Sequence, residues 1–459
     1  MPFRYNPPTR TTCTICENAK LNPVEPIIST HKGKASSANN FPFHNWYNFV
    51  LGYSPEFPEY LLPDRNDLLV VDPFMGTATT NVVCKSRGIA SIGIEANDYF
   101  IGVGKTKLEW DLDGSKLDRW ASKILGESIA QLADIDFELS ENGQEGLFSS
   151  VETKLASYKE YSKKRPKELL EKYICDRPLA KLYVIHDVIE GVLKSAPLKY
   201  KRFFGLALSS IIVPASNISY GPGFGVKKPK VDVDVYALFR KKLNRMVEDV
   251  KSVDHDEHKK TKYKIIHGDA RQMSKYLEPN SVDLMITSPP YPGDHEYTKH
   301  TKLELIFENF ARDLKEFRVI KKRMLTGSTT NIYKEDNDRE NVLGNSLIEK
   351  VTSLIQERLD EDNATSGFEK LYTKLVWEYF GGMAMVFREA LIALKKGGKF
   401  SLLVSDSHAF KMVHIQTAEI LKDIALKEGF SEGVIVLWQN KPSTSHGYNL
   451  REDILTLTK

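Results

Sequence analysis

The sequence predicts an α/β protein: a largely parallel sheet with helices on both faces and a large helical insertion. Two observations carry this. Short apolar runs alternate with longer helical patterns in two blocks, 41–110 and 262–459, and such alternation builds parallel sheets. Between the blocks, residues 111–261 read as Lys- and Glu-rich amphipathic helix.

Residues 1–40, rich in Pro, Thr, Ser and Asn, read as an extended arm. The apolar run 67–72 stops at Pro73-Phe74-Met75-Gly76, which predicts a buried strand and a turn. A helix over 79–87 comes next, Gly88 fits its C-terminal cap, and 90–95 is a second strand. Together they make a βαβ unit. A glycine-rich loop at 219–225 interrupts the helical insertion. Strands return at 263–267 and 282–287, and 303–370 is a second, charged and mostly helical insertion. Leu371, Leu375, Phe380, Met383 and Phe387 recur at helical spacing, and Gly397-Gly398 is expected to end that helix. A strand at 400–405, a helix near 415–427 and strands at 433–438 and 453–457 complete the pattern.

At 459 residues the chain suits two to three domains, or one domain with large insertions. Its 41% hydrophobic and 27% charged residues exclude a mainly disordered or fibrous chain. No apolar run approaches the ~20 residues of a membrane helix. The first eight residues contain no apolar signal core. Four cysteines imply no disulfide framework, so a reducing cytoplasm is the expected compartment. Net charge is only +3, yet 151–264 carries 25 Lys and Arg against 14 Asp and Glu. A basic block in an otherwise acidic chain is a candidate surface for a polyanion. Its clusters lie at 163–165, 199–202, 227–230 and 240–242.

Four strand ends carry candidate site residues, on the side where open α/β sheets bind ligands. Strand one opens into Asp72-Pro73-Phe74-Met75-Gly76-Thr77, a small-residue turn leading to a helix N-terminus, where backbone can approach a ligand. Strand two ends on Glu95, an acid able to accept both hydroxyls of a ribose. Strand three runs into Gly268-Asp269-Ala270, where Asp269 suits an exocyclic amine. Strand four runs into Ser288-Pro289-Pro290-Tyr291. The prolines fix the backbone and remove two N–H donors, so carbonyls there are free to accept. Ser288 adds a polar group and Tyr291 a flat surface. Such a site suits a planar base bearing an NH₂ group, whose lone pair is delocalised into the ring. Acceptors at Ser288 Oγ and the Pro289 carbonyl would hold both N–H bonds and turn the lone pair toward a sulfonium methyl.

Here the chain resembles the amino-group DNA methyltransferases that use S-adenosyl-L-methionine. The match is to their Asp-Pro-Phe-x-Gly-x-Gly-Thr and Ser-Pro-Pro-Tyr loops, and it covers 41–110 and 262–459. The resemblance implies a Rossmann-like, seven-stranded, mostly parallel sheet. It also implies that Asp72, Pro73, Phe74, Gly76 and Thr77 cradle the methionine part of the cofactor. Glu95 would hold the ribose, Asp269 beside Ala270 the adenine, and Ser288 to Tyr291 the target base. Ala78 stands where the family usually has glycine, and its methyl would tighten the loop. The segments 43–49 and 53–57 would pack against the cofactor's amino-acid end. The loop 292–297 would follow a base extruded from the duplex, and 111–261 would serve target recognition.

The implied activity is methylation of cytosine N4 in double-stranded DNA, because serine leads the Pro-Pro-Tyr. Adenine N6 is the alternative; RNA methylation and a non-catalytic DNA-binding role are weaker readings. A cognate restriction endonuclease is left open as a partner, and no membrane is expected. Methylation at cytosine carbon-5 would need a thiolate after a proline, and Thr12, Ile15, Val83 and Ile174 precede the four cysteines. Cys13 and Cys16 have the spacing of half a zinc site but lack a second pair, so no metal is expected.

Overall fold

A computed structural model describes residues 41–140, 173–220, 225–253, 260–293, 296–361, 367, 369–409, 412–442 and 449–459. The arm at 1–40 with Cys13 and Cys16, the cluster at 163–165, and residues 221–224 and 294–295 lie outside them.

After a short 3₁₀ turn, the chain forms α1 (Glu56–Leu61), β1 (Leu69–Asp72), α2 (Thr79–Ser86), β2 (Ala90–Glu95) and α3 (Asp98–Lys107). The first insertion contributes α4 (Gly114–Ser140), α5 (Asp176–Val192), α6 (Leu198–Ser209) and α7 (Val235–Ser252). Then come β3 (Tyr263–His267), β4 (Val282–Thr287), α8 (Leu314–Lys322) and α9 (Ser346–Glu361). The chain closes with α10 (Leu371–Ala393), β5 (Leu394–Ser405), α11 (Thr417–Glu428), β6 (Glu432–Pro442) and β7 (Asn449–Thr458).

The strands form one seven-stranded sheet in the order β3-β2-β1-β4-β5-β7-β6. All pairs are parallel except those of β7, which runs antiparallel between β5 and β6. This is the Rossmann-like methyltransferase architecture that the resemblance implied. Valines suit strands covered on both faces. Val71, Met285 and Phe400 point into a core shared with α10 and α11. Their neighbours Val70, Leu284 and Leu403 point to the other face, against Phe57 of α1 and Val83 of α2, as the two-residue period of a strand requires. The first insertion packs on α3: Tyr99 and Phe100 share a third core with Leu182, Phe203 and Phe239. Fully burying each phenylalanine contributes roughly 1.5–3 kcal/mol.

Two features of this packing position the site. The sheet order reverses between β1 and β4, so the loops after these two strands diverge and leave a crevice. On the far side, α10 carries a notch at Gly381-Gly382. A Cβ on Gly381 would stand 2.1 Å from the Asp338 carbonyl oxygen, and one on Gly382 would stand 2.4 Å from Leu325. Glycine is required there because the strap between α8 and α9 presses into the helix.

The main departure from expectation is at β5. The glycines at 397 and 398 do not end a helix; α10 stops at Ala393 and β5 begins at Leu394. Gly397 N donates to the Lys459 carbonyl, and Lys459 Nζ to that of Leu394. A contact with the last residue of the chain thus extends the strand, which local periodicity cannot reveal. Residues 413–415 pair with 407–409 as a small ribbon, and α11 starts after it, at Thr417.

Candidate active site

The loop after β1 is held by its neighbours on β2. Met75 N donates to the Ile94 carbonyl at 3.0 Å. The Met75 side chain fills space left by two glycines: a Cβ on Gly93 would lie 2.5 Å from its sulfur, and one on Gly104 2.8 Å from its methyl. Gly76 (φ 51°) and Ala78 (φ 66°) are both left-handed. Glycine adopts that geometry freely, whereas alanine there costs on the order of 1 kcal/mol. Gly76 N donates to Glu95 Oε2 at 2.7 Å, and Asn97 N to Glu95 Oε1 at 2.7 Å. Burial pushes the Glu95 carboxyl up to about 7, against the pull of those backbone donors.

Asp72 ties the loop after β1 to the end of β4. It is fully buried and accepts from Thr287 Oγ1 (2.6 Å), Tyr53 Oη (2.8 Å) and Phe74 N (3.1 Å). Burial raises its carboxyl to about 6, while the three donors oppose the rise. Thr287 immediately precedes Ser288, so one carboxylate fixes the spacing of the two loops.

Between them lies a cavity with about 730 Å³ of empty space, its open mouth included. Of the residues expected in the site, Pro73, Phe74, Gly76, Thr77, Glu95, Asp269, Ala270, Ser288 and Pro290 line it. Asp72, Pro289 and Tyr291 are not on its wall. From the segment before β1, Phe49 and Tyr53 reach the cavity, whereas Phe43, Trp46 and Tyr47 lie in the core shared with α3. Asp269 carries its own counter-ion: Arg271 grips both of its oxygens and donates from a third nitrogen to Asp338 at 2.6 Å.

On the β4 side, Ser288 Oγ lies 3.2 Å from Tyr291 Oη, which faces Glu452 Oε1 at 3.5 Å. Glu452, on β7 between Ser405 and Gln439, is buried and also accepts from Gln439 Nε2. Sequence reasoning missed Glu452; the only signal was an acid at the start of a strand pattern. It also missed Arg323, Met324 and Leu325 of the second insertion, which line the cavity. No motif marks them.

Among the described residues, no group of three His, Cys, Asp or Glu side chains is placed to hold a metal. No helix there is long and apolar enough to cross a membrane.

A seven-stranded, mostly parallel sheet of this order, with a cavity across its switch point, is consistent with the Rossmann-like fold of methyltransferases. Among known proteins, the chain is similar to the Type II methyltransferase M.BsoBI of Geobacillus stearothermophilus: 22% identical over 425 residues, 84% of this chain and 79% of that protein. This distant relative supports a methyltransferase. No family profile matches the chain, and no solved structure does.

Proposed function

We propose that this chain is a DNA methyltransferase that uses S-adenosyl-L-methionine and modifies the exocyclic N4 amine of cytosine in duplex DNA. One observation carries the reading: Ser288 and the loop after β1 line the same cavity, and Asp72 and Thr287 fix their separation. The residues present suit that cofactor. Glu95 offers a buried carboxylate for the two ribose hydroxyls, and Asp269 an acceptor beside apolar Ile94, Phe100 and Leu325. Gly76 and Thr77 bring backbone close to the methionine end.

Bound S-adenosyl-L-methionine supplies an electrophilic sulfonium methyl. Ser288 Oγ and the Pro289 carbonyl accept the two N–H bonds of the base, which pulls its nitrogen toward sp³. Tyr291 presents a ring for the base to stack on. Placement and fixed dipoles supply most of the rate.

The test is nucleoside mass spectrometry of duplex DNA incubated with the protein and methyl-labelled S-adenosyl-L-methionine. Labelled N4-methylcytosine is expected. Labelled N6-methyladenine would correct the base, and unlabelled DNA would overturn the reading.

Glu95 gives a pH dependence. Its ionised form accepts from hydroxyls, and its carboxyl sits at about 7. Affinity for S-adenosyl-L-homocysteine should therefore rise between pH 6 and pH 8, by up to about ten-fold. Without ligand the sign reverses: the raised value means that folding stability is lost as pH climbs through about 7. Calorimetry across that range checks it, and Glu95→Gln should flatten the curve.

The insertion 111–261 is the proposed duplex-contacting region. Much of its positive charge is already engaged. Arg177 and Lys181 pair with Asp232, Lys251 with Asp118, and Lys230 Nζ donates to the Pro214 carbonyl. Lys227 and Lys228 are exposed, beside a small ribbon pairing Ile218–Ser219 with Gly225–Val226. Tyr220, next to that ribbon, stacks on His300 at 5.1 Å and donates to its carbonyl, so the ribbon stands near the loop after β4. Replacing Lys227 and Lys228 by glutamine should flatten the slope of log affinity against log salt by up to about 2. An unchanged slope would make this ribbon a solvated face.

A further inference from the structure

The cavity has a wall that no motif marked. Arg323, Met324 and Leu325 line it, and they begin the strap that runs from α8 to α9. The strap is anchored at two places. Its far end is held by Arg271, whose guanidinium bridges Asp338 and Asp269. The notch of α10 receives the strap twice: Leu325, near its start, fills the space above Gly382, and the Asp338 backbone that above Gly381. Its near end is held differently. Arg323 pairs with Asp98 and lies 3.0 Å from His267 Nε2.

Those two partners flank the residues read as the adenosyl end. Asp98 opens α3, three residues after Glu95, and His267 ends β3, two residues before Asp269. Arg323 thus spans the ends of β2 and β3 across the cavity. Its pairing is only partly buried: its side chain is 39% exposed, and that of Asp98 22%. Exposed ion pairs are weak and open readily, whereas the Arg271 bridge is 15% exposed on the arginine side. The Arg271 bridge is therefore the fixed contact and the Arg323 pair the releasable one. Arg323 Nε is buried with no partner among the described residues. The strap also reaches the loop after β4, where the Gly327 carbonyl accepts from Gly293 N at 3.0 Å, and beside it Lys321 at the end of α8 pairs with Glu296 at 2.9 Å.

We infer that Arg323 is a positioning residue that latches this strap over the adenosyl half of the cofactor and governs how fast the cofactor leaves. The inference rests on the reading of the cavity as the S-adenosyl-L-methionine site. Arg323→Ala should speed dissociation of S-adenosyl-L-homocysteine about five-fold or more, measured by stopped-flow fluorescence. It should weaken 5′-methylthioadenosine, which lacks the amino-acid end, by a similar factor. Arg323→Lys, able to pair with Asp98, should recover part of the loss. In Asp98→Asn protein, the alanine change should add little, because the latch is already broken. Without any ligand, amides 324–330 of Arg323→Ala should exchange hydrogen faster while α10 keeps its protection.

Two failures separate cleanly. Wild-type protein that binds neither compound would overturn the cofactor reading. Wild-type protein that binds S-adenosyl-L-homocysteine, with an Arg323→Ala variant that releases it at the same rate and exchanges its strap amides no faster, would overturn the latch alone.

Discussion

Replacing Ser288 with alanine is expected to cut methyl transfer about 10²-fold while leaving the affinity for S-adenosyl-L-homocysteine nearly unchanged. The hydroxyl stands on the cavity wall, 3.2 Å from the Tyr291 phenol. On the proposed reading alanine removes one of two acceptors for the amine, a bond that would strengthen as the nitrogen pyramidalises, and losses of that kind fall on the rate. The change also removes the contact with Tyr291 Oη, but the anchoring of the two loops is kept, since it runs through Thr287 and Asp72. Rates of labelled methyl incorporation and calorimetry with the product compound separate the two effects. Wild-type turnover in this variant would remove Ser288 from the chemistry.

Glu95→Ala is expected to act on the other side of the site. Affinity for S-adenosyl-L-methionine should fall by about 1.5–3 kcal/mol, because two charge-assisted hydrogen bonds disappear. Here the geometry adds a cost. Glu95 also accepts from Gly76 N and Asn97 N, so alanine leaves two backbone donors unsatisfied and loosens the loop. Glu95→Gln keeps one acceptor and should lose less. A dissociation constant equal to wild type in the alanine variant would mean that the ribose is held elsewhere.

Much of this site was legible because it is built from strand ends. β1 to β4 announce themselves as apolar runs, and the loop after each strand of a parallel sheet faces the ligand side. Glu95, Asp269 and Ser288 could therefore be placed together although they are far apart in the chain. Asp72 had the right neighbourhood but stands behind the wall, because its burial under Tyr53 and Thr287 depends on a tertiary fit. Glu452 and the strap were illegible for a similar reason. Glu452 meets Tyr291 only through the register of β7 on β5, and Arg323 reaches the cavity only because Gly381-Gly382 lets the strap approach α10. The glycine pair at 397 and 398 was misread because its partner is Lys459.

The sheet order also has a kinetic meaning. β2 and β3 are hydrogen-bonded neighbours, yet Glu95 and Tyr263 are separated by the whole first insertion. Loops of that length are costly to close early, and distant parallel pairings slow folding. The helices α4 to α7, whose contacts are mostly with one another and with α3, can gather first. On this expectation the register of β3 on β2 would complete the crevice late. A newly made chain would thus be compact and helical well before it has a cavity to fill. A ligand that binds only the finished crevice stabilises that last-formed state by mass action.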